Sequence, residues 1–351
     1  IIIVVGGTYI FTSYTPNQLI NIIGDFFSGN SGNGYPIESP VNNAKGLYNR
    51  NGSLMVASDT YLYEYNLTGR KTSQIKHNLQ SPAIEIDGGY ILLYDRLTNQ
   101  YVVYKGSEVF ANKKAEEPIF SADINKKGEV AVATSSKKYQ SVVSVGDKNF
   151  VWNSPTKIIN KVELDNSSSY LCASGIETIG GQIVSTVVLL DTTKTQPVFE
   201  TKLNNQIVLD MSFKNSWVEV ITDQQGILFS HKGSQIREYG FDDRPLKLFE
   251  TNDQKSLFAF GDFDRQGYIE LTCISNNYKQ AGNIKINKNI IEAKWTDKFV
   301  ILLTNNSIEI YDHSFTKHKT IIVKDIYKIQ PIGNTLYLIS NDFIDTISLS
   351  I

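Results

Sequence analysis

One short apolar run, opened by a turn and closed by a small or polar residue, recurs eight times along this chain, and that recurrence limits the fold more than any other feature. The runs are Leu54–Ser58, Tyr90–Tyr94, Val130–Thr134, Tyr170–Ser174, Val218–Thr222, Leu257–Gly261, Val300–Thr304 and Leu336–Ser340. Their starts lie 36, 40, 40, 48, 39, 43 and 36 residues apart. A period near forty belongs to four-stranded blades rather than to β-helix coils or helical solenoids. Around each run the order is constant. A weaker strand precedes it, as in Ile119–Ile124, Ile207–Phe213 or Ile290–Trp295. A strand with alternation follows, as in Tyr61–Tyr65 or Ser307–Tyr311, and a fourth comes after a turn, as in Lys71–His77 or Lys317–Val323. A continuous apolar run suits a strand covered on both faces, and alternation suits a half-buried one. Four strands in each of eight units predict an all-β fold, the eight-bladed β-propeller.

The eighth unit, Tyr327 to Ile351, is one strand short. A strand-like Tyr35-Pro36-Ile37-Glu38-Ser39 stands alone before the first unit. An exposed sheet edge invites pairing, so this segment is expected to fill the outer place of the last blade and latch the ring.

Ahead of the repeat the chain changes character. Residues Ile1 to Phe11 read IIIVVGGTYIF, without charge, before the polar stretch Thr12 to Pro16. Eleven helical residues cover about half of a bilayer's hydrocarbon core. They are expected to be the C-terminal part of a transmembrane anchor, residues 1–14, with a buried strand as the alternative. Residues 15–34 are expected to form a juxtamembrane helix and linker. Thr15 suits the N-cap, Pro16 the first turn and Gly29 the end, and Leu19, Ile22, Ile23, Phe26 and Phe27 make one apolar stripe to be buried on lipid or on the propeller. The propeller is expected over residues 35–351.

Formal charges of 34 basic and 36 acidic residues leave a net of −2, which removes the long-range field of a general nucleic-acid binder. Cys172 and Cys273, a hundred residues apart, make neither a disulfide scaffold nor a four-ligand zinc site and read as buried thiols. His77, His231, His313 and His318 show no metal-ligand spacing and read as surface or turn residues. No phosphate-cradling glycine loop, serine elbow or HExxH motif is present, so no cofactor, metal or catalytic residue is assigned. Immediately after the runs stand Asp59, Asp95, Ser135, Gly175, Asp223, Asp262, Asn305 and Asn341. Repetition places these at one end of every blade, a polar ring at the channel mouth. Turn chemistry alone explains such a ring, since Asp and Asn bond their own backbone in tight turns. The connections following the runs are long in blades three, four and six, and binding residues concentrate in extended loops on rigid scaffolds. Lys137, Lys138, Tyr139, Glu177, Asp264 and Arg265 are the binding candidates there, against the alternative of tolerated surface insertions.

The apolar tail before a Thr15-Pro16-Asn17-Gln18 helix start, the Gly34-Tyr35-Pro36-Ile37 strand and the succession of blades resemble an uncharacterised family of single-pass, membrane-tethered, WD40-like propeller proteins from Gram-positive bacteria. The resemblance runs nearly end to end and carries no catalytic residue. It implies an extracytoplasmic propeller at the cell membrane, and the expected function is a scaffold for an envelope protein or glycan. The alternatives are a hydrolase of glycan or peptide, which needs two carboxylates about 5 to 10 Å apart, and a quinone-dependent dehydrogenase. With only Trp152, Trp217 and Trp295, the chain lacks the regular Trp-bearing repeat that such dehydrogenases show.

Overall fold

Each apolar run becomes the second strand of a four-stranded antiparallel sheet. In this computed structural model, residues 16–350 are described apart from 28, 30, 97, 147–149, 195, 215–216, 253–254 and 276–277. Among the described residues, 32 strands form eight such sheets. Blade one pairs Gly46–Arg50, Ser53–Ala57, Tyr61–Tyr65 and Lys71–Lys76 in order. Its second strand buries Leu54 through Ala57 without a break, because protein covers both of its faces. The fourth strand buries only Ile75. The eight blades give the chain the all-β, eight-bladed propeller fold that the repeat predicts.

The last blade takes its fourth strand from the front of the chain. Ile37–Glu38 lies outermost, beside Phe343–Ser348, with Ile37 opposite Ile344 and Glu38 opposite Phe343. The pairing continues through the Ser39 amide, which donates to the Asp342 carbonyl at 2.9 Å. Side chains add to it. The Tyr35 ring meets Tyr337 edge-on at 5.3 Å, and the Tyr35 hydroxyl donates to the Asn66 carbonyl at 2.9 Å.

The blades fall into two compact units. Residues 79–245 hold blades two to five, and residues 1–78 with 246–351 hold blades one, six, seven and eight. In the first unit, one core joins Leu92, Tyr94 and Val103 of blade two to Ile119, Val130 and Val132 of blade three. In the second unit, Leu257, Leu271 and Cys273 of blade six pack on Trp295, Val300 and Tyr311 of blade seven.

The N-terminal helix, Pro16–Phe27, belongs to the second unit and packs on the propeller. Gln18 is buried, its Nε2 donating to the Ile332 carbonyl at 3.0 Å, and Ile22 packs on the cluster containing Ala44 and Tyr337. Gly29 follows with φ +70°, the left-handed turn expected at a helix end. The apolar stripe is narrower than expected, since Ile23 is 54% exposed, and Ile20, outside that stripe, is 66% exposed. A polar anchor, Gln18, sets the docked face and turns these two outward. Residues 1–15 and the side chains of Phe26 and Phe27 lie outside the described residues, and with them the expected anchor and N-cap. Among the described residues, no helix is long and apolar enough to cross a membrane.

Candidate functional site

The residues that follow the apolar runs show how their turns are built. Asp95 is buried and accepts from the amides of Gln80 and Ser81 at 3.0 and 3.2 Å. Asp223 accepts from the Ile207 amide at 2.9 Å. Asp262 caps the short helix Phe263–Gln266, accepting from the Asp264 amide at 3.1 Å and pairing with Arg265 at 3.3 Å. Asp59 pairs with Lys45 at 3.3 Å, while Asn305 and Asn341 are exposed. Ser135 is half-buried beside a cleft described below. Gly175 lies in a strand where an added Cβ would come within 2.9 Å of Lys157.

The expected long loop of blade four is strand instead. Tyr170–Ile179 and Gln182–Asp191 pair along their whole length, with Gly180-Gly181 as the turn. Both turn glycines have positive φ, which lets the hairpin reverse in two residues. Glu177 therefore projects from a strand, accepts from the Thr156 hydroxyl at 2.9 Å and faces Lys157 at 3.8 Å. In blade three, Lys137 is 3.9 Å from Glu117, and Lys138 lies over the Tyr139 ring at 5.3 Å. Asp264 and Arg265 belong to the other unit, on the short helix.

A cluster that the motif search missed lies on the first strands of blades two to five. Glu85, Asp123 and Glu163 line a cavity of about 150 Å³ together with Lys161, Arg96, Tyr94 and Asn160. Lys161 pairs with Asp210 at 2.5 Å, and Asp123 Oδ2 accepts from the Leu164 amide at 2.7 Å. Asp123 keeps some accessible surface, but the water it meets is that of a small cavity, so burial governs its charge. Burial pushes the Asp123 carboxyl up to about 7 against the pull of the Leu164 amide, and the neighbouring Glu85 pushes the same way. Burial, then Asp123, raises Glu163 well above the carboxylate range, and burial also raises Glu85. Burial opposes the Lys161 ammonium, but Asp210, Glu85 and Glu163 outweigh it and hold Lys161 above the ordinary lysine range. One lysine thus neutralises a crowded set of acids only in part. The signal was present in the sequence: an acid stands between two apolar residues in three successive first strands, Ile84-Glu85-Ile86, Ala122-Asp123-Ile124 and Val162-Glu163-Leu164. The cavity has room for several waters, whereas ligand sites run about 300 to 1,000 Å³.

Two hollows of that larger size lie between the third and fourth strands of blade two and the second and third strands of blade three. One of about 670 Å³ is lined by Tyr101, Lys114, Ala115, Val132, Val142 and the loop residues Ser135 to Lys138. The other, about 570 Å³, is lined by Val103, Phe110, Ala111, Lys113, Lys127 and Gly146 among others. Tyr101 borders both, so together they form one cleft between the facing sheets.

The remaining chemistry-bearing side chains are absorbed by packing. Cys172 and Cys273 are free and buried, as expected, and burial raises both thiols, Cys273 to about 11. The histidines are less exposed than expected. His77 is buried with Nε2 3.3 Å from the Ser58 carbonyl, His231 lies against Tyr170 and Phe213, and His313 lies edge-on to Trp295 at 5.2 Å. Only His318 is exposed, and it sits 3.5 Å from Asp312. Neighbouring aromatic rings cover His231 and His313. Among the described residues, no group of three His, Cys, Asp or Glu side chains is placed to hold a metal ion.

The fold is an eight-bladed β-propeller of four-stranded blades. Residues 32–349 match DUF5711, a family of unknown function, and the chain belongs to that family. No curated protein matches the sequence. Among solved structures, the computationally designed Ika8 protein is similar over 91% of this chain and 98% of its own, at 9% identity and a TM-score of 0.65. BamB from Moraxella catarrhalis is similar over 90% and 98%, at 10% identity and a TM-score of 0.56. The Pan2 WD40 domain of Neurospora crassa is similar over 91% and 97%, at 7% identity and a TM-score of 0.53. At these identities the likeness is one of fold.

Proposed function

We propose that this protein is a propeller scaffold that binds a protein partner at the cell envelope, tethered to the membrane by the apolar segment Ile1 to Phe11 with the propeller outside the cytoplasm. The observation that carries the binding reading is the cleft between blades two and three, which has the size of a ligand site on a rigid sheet framework. The tether rests on the length and apolarity of the N-terminal run and on the helix that follows it directly. Lys137, Lys138, Tyr139 and Glu177 in blades three and four, and separately Asp264 and Arg265 in blade six, are the proposed contact residues. The polar turn residues Asp59, Asp95, Asp223, Asp262, Asn305 and Asn341 are proposed to shape the turns that carry them.

Two measurements test this reading. Protease added to intact cells is expected to digest the propeller, whereas protection until lysis contradicts the outward placement. Affinity capture with the full chain in detergent is expected to enrich a partner from envelope extracts, and alanine at Lys138, Tyr139 and Arg265 together is expected to reduce the yield. An unchanged set of captured proteins removes these residues from the contact surface.

A further inference from the structure

The cleft between blades two and three is open for a reason that can be read residue by residue. In blades two, three and four the third strand places Val103, Val145 and Leu189 at equivalent buried positions, each facing the next blade. The residue paired with each on the outer strand decides whether the outer part of the cleft is filled. Opposite Val145 stands Phe150. Opposite Leu189 stands Phe199, whose ring lies 5.4 Å from Phe229 in the core shared by blades four and five. Opposite Val103 stands Ala111. Blade two alone of the three thus has no aromatic residue at this position, and Ala111 lines the hollow of about 570 Å³, with that of about 670 Å³ next to it. The floor left behind is apolar, made of Val103, Ala111, Val132 and Val142, with Phe110 54% exposed beside it.

The rim is charged. Five lysines line the two hollows, Lys113, Lys114, Lys127, Lys137 and Lys138, against three glutamates, Glu116, Glu117 and Glu129. The excess is two positive charges on a chain whose net charge is −2. Lys137 is 92% exposed, and its nearest carboxylate is 3.9 Å away. Apolar depth favours a ring, and a lysine rim favours carboxylates beside it.

We propose that this cleft binds an extended, acidic segment of a partner polypeptide, one of whose aromatic side chains takes the place that Phe199 takes between blades four and five. The proposal rests on the binding reading above and names the surface and the chemistry of the partner. An extended chain suits the slot because both walls are β-sheet faces, one of Gln100–Lys105 and Glu108–Lys114, the other of Val130–Thr134 and Ser141–Val145.

The test uses fluorescein-labelled octapeptides with a central Trp flanked by Glu and Asp, titrated with the full chain in detergent and followed by anisotropy. The acidic Trp peptide is expected to bind, and versions with Ala for Trp or with Lys for the acids are expected to bind at least tenfold more weakly. Ala111→Trp is expected to plug the cleft and weaken binding at least tenfold without lowering the thermal midpoint. Should that variant fold poorly, Lys137→Glu with Lys138→Glu provides an independent reading, with weaker binding and a shallower salt dependence. Equal binding of the Lys-flanked peptide, or unchanged affinity in a well-folded Ala111→Trp variant, overturns the proposal. Binding of polygalacturonate but not of the peptide also overturns it, by assigning the cleft to an anionic glycan. Ala111→Trp further separates this proposal from the broader reading: envelope capture that persists in the plugged variant refutes the cleft and leaves the scaffold standing.

Discussion

Replacing Asp123 by Asn is expected to make the protein more stable at pH 8 while leaving it nearly unchanged at pH 4. The folded carboxyl titrates at about 7, compared with about 3.9 for an unperturbed aspartate. The folded state therefore holds the proton more tightly than the unfolded chain does. Stability from this group is fully present below pH 4 and falls as the pH rises towards 7. Above that the ionised carboxylate carries the full penalty, about 4 kcal/mol at most for a difference of three units. Asn keeps the acceptor that meets the Leu164 amide at 2.7 Å and carries no charge to bury. It also removes the second cause that raises Glu163. Urea unfolding at pH 4 and pH 8, followed by tryptophan fluorescence, is expected to show a gain of about 2 to 4 kcal/mol for Asp123→Asn at pH 8 and less than about 1 kcal/mol at pH 4. An equal loss at both pH values would refute the reasoning, because it would mean that an ionised Asp123 is required by the fold.

Two further outcomes follow from packing. Deleting residues 33–41 strips the partner strand from Ile344, which is fully buried, and is expected to lower the thermal midpoint by at least about 5 °C; an unchanged midpoint removes the latch. Lys214 and Glu219 form a buried ion pair at 2.6 Å, so Lys214→Ala is expected to cost about 3 to 5 kcal/mol in urea unfolding. Lys214→Met with Glu219→Leu is expected to recover most of that loss, since it leaves no buried charge without its partner.

The parts of this architecture legible in the sequence are those written by backbone periodicity. Leu54 to Ala57 and Val300 to Leu303 are continuous because both faces of the strand are covered, and that signal survives in a single sequence. The latch was legible because a sheet of three strands leaves an edge, and Ile37–Glu38 was the strand to spare. The carboxyl cluster was harder to see. Glu85, Asp123 and Glu163 are some forty residues apart, and only the stacking of first strands brings them to one cavity. The loop expected around Gly175 failed for a local reason. Polar and glycine residues were read as a connection, whereas a two-glycine turn let both strands run on. The open cleft depends on what is absent from it. Ala111 says nothing in isolation, and its meaning comes from Phe150 and Phe199 at the equivalent places.

Amide hydrogen exchange of the full chain with and without the acidic Trp peptide tests the binding cleft most directly. Slowed exchange confined to residues 101–117 and 130–144 is the predicted result. Protection elsewhere, or none at saturating peptide, would contradict it.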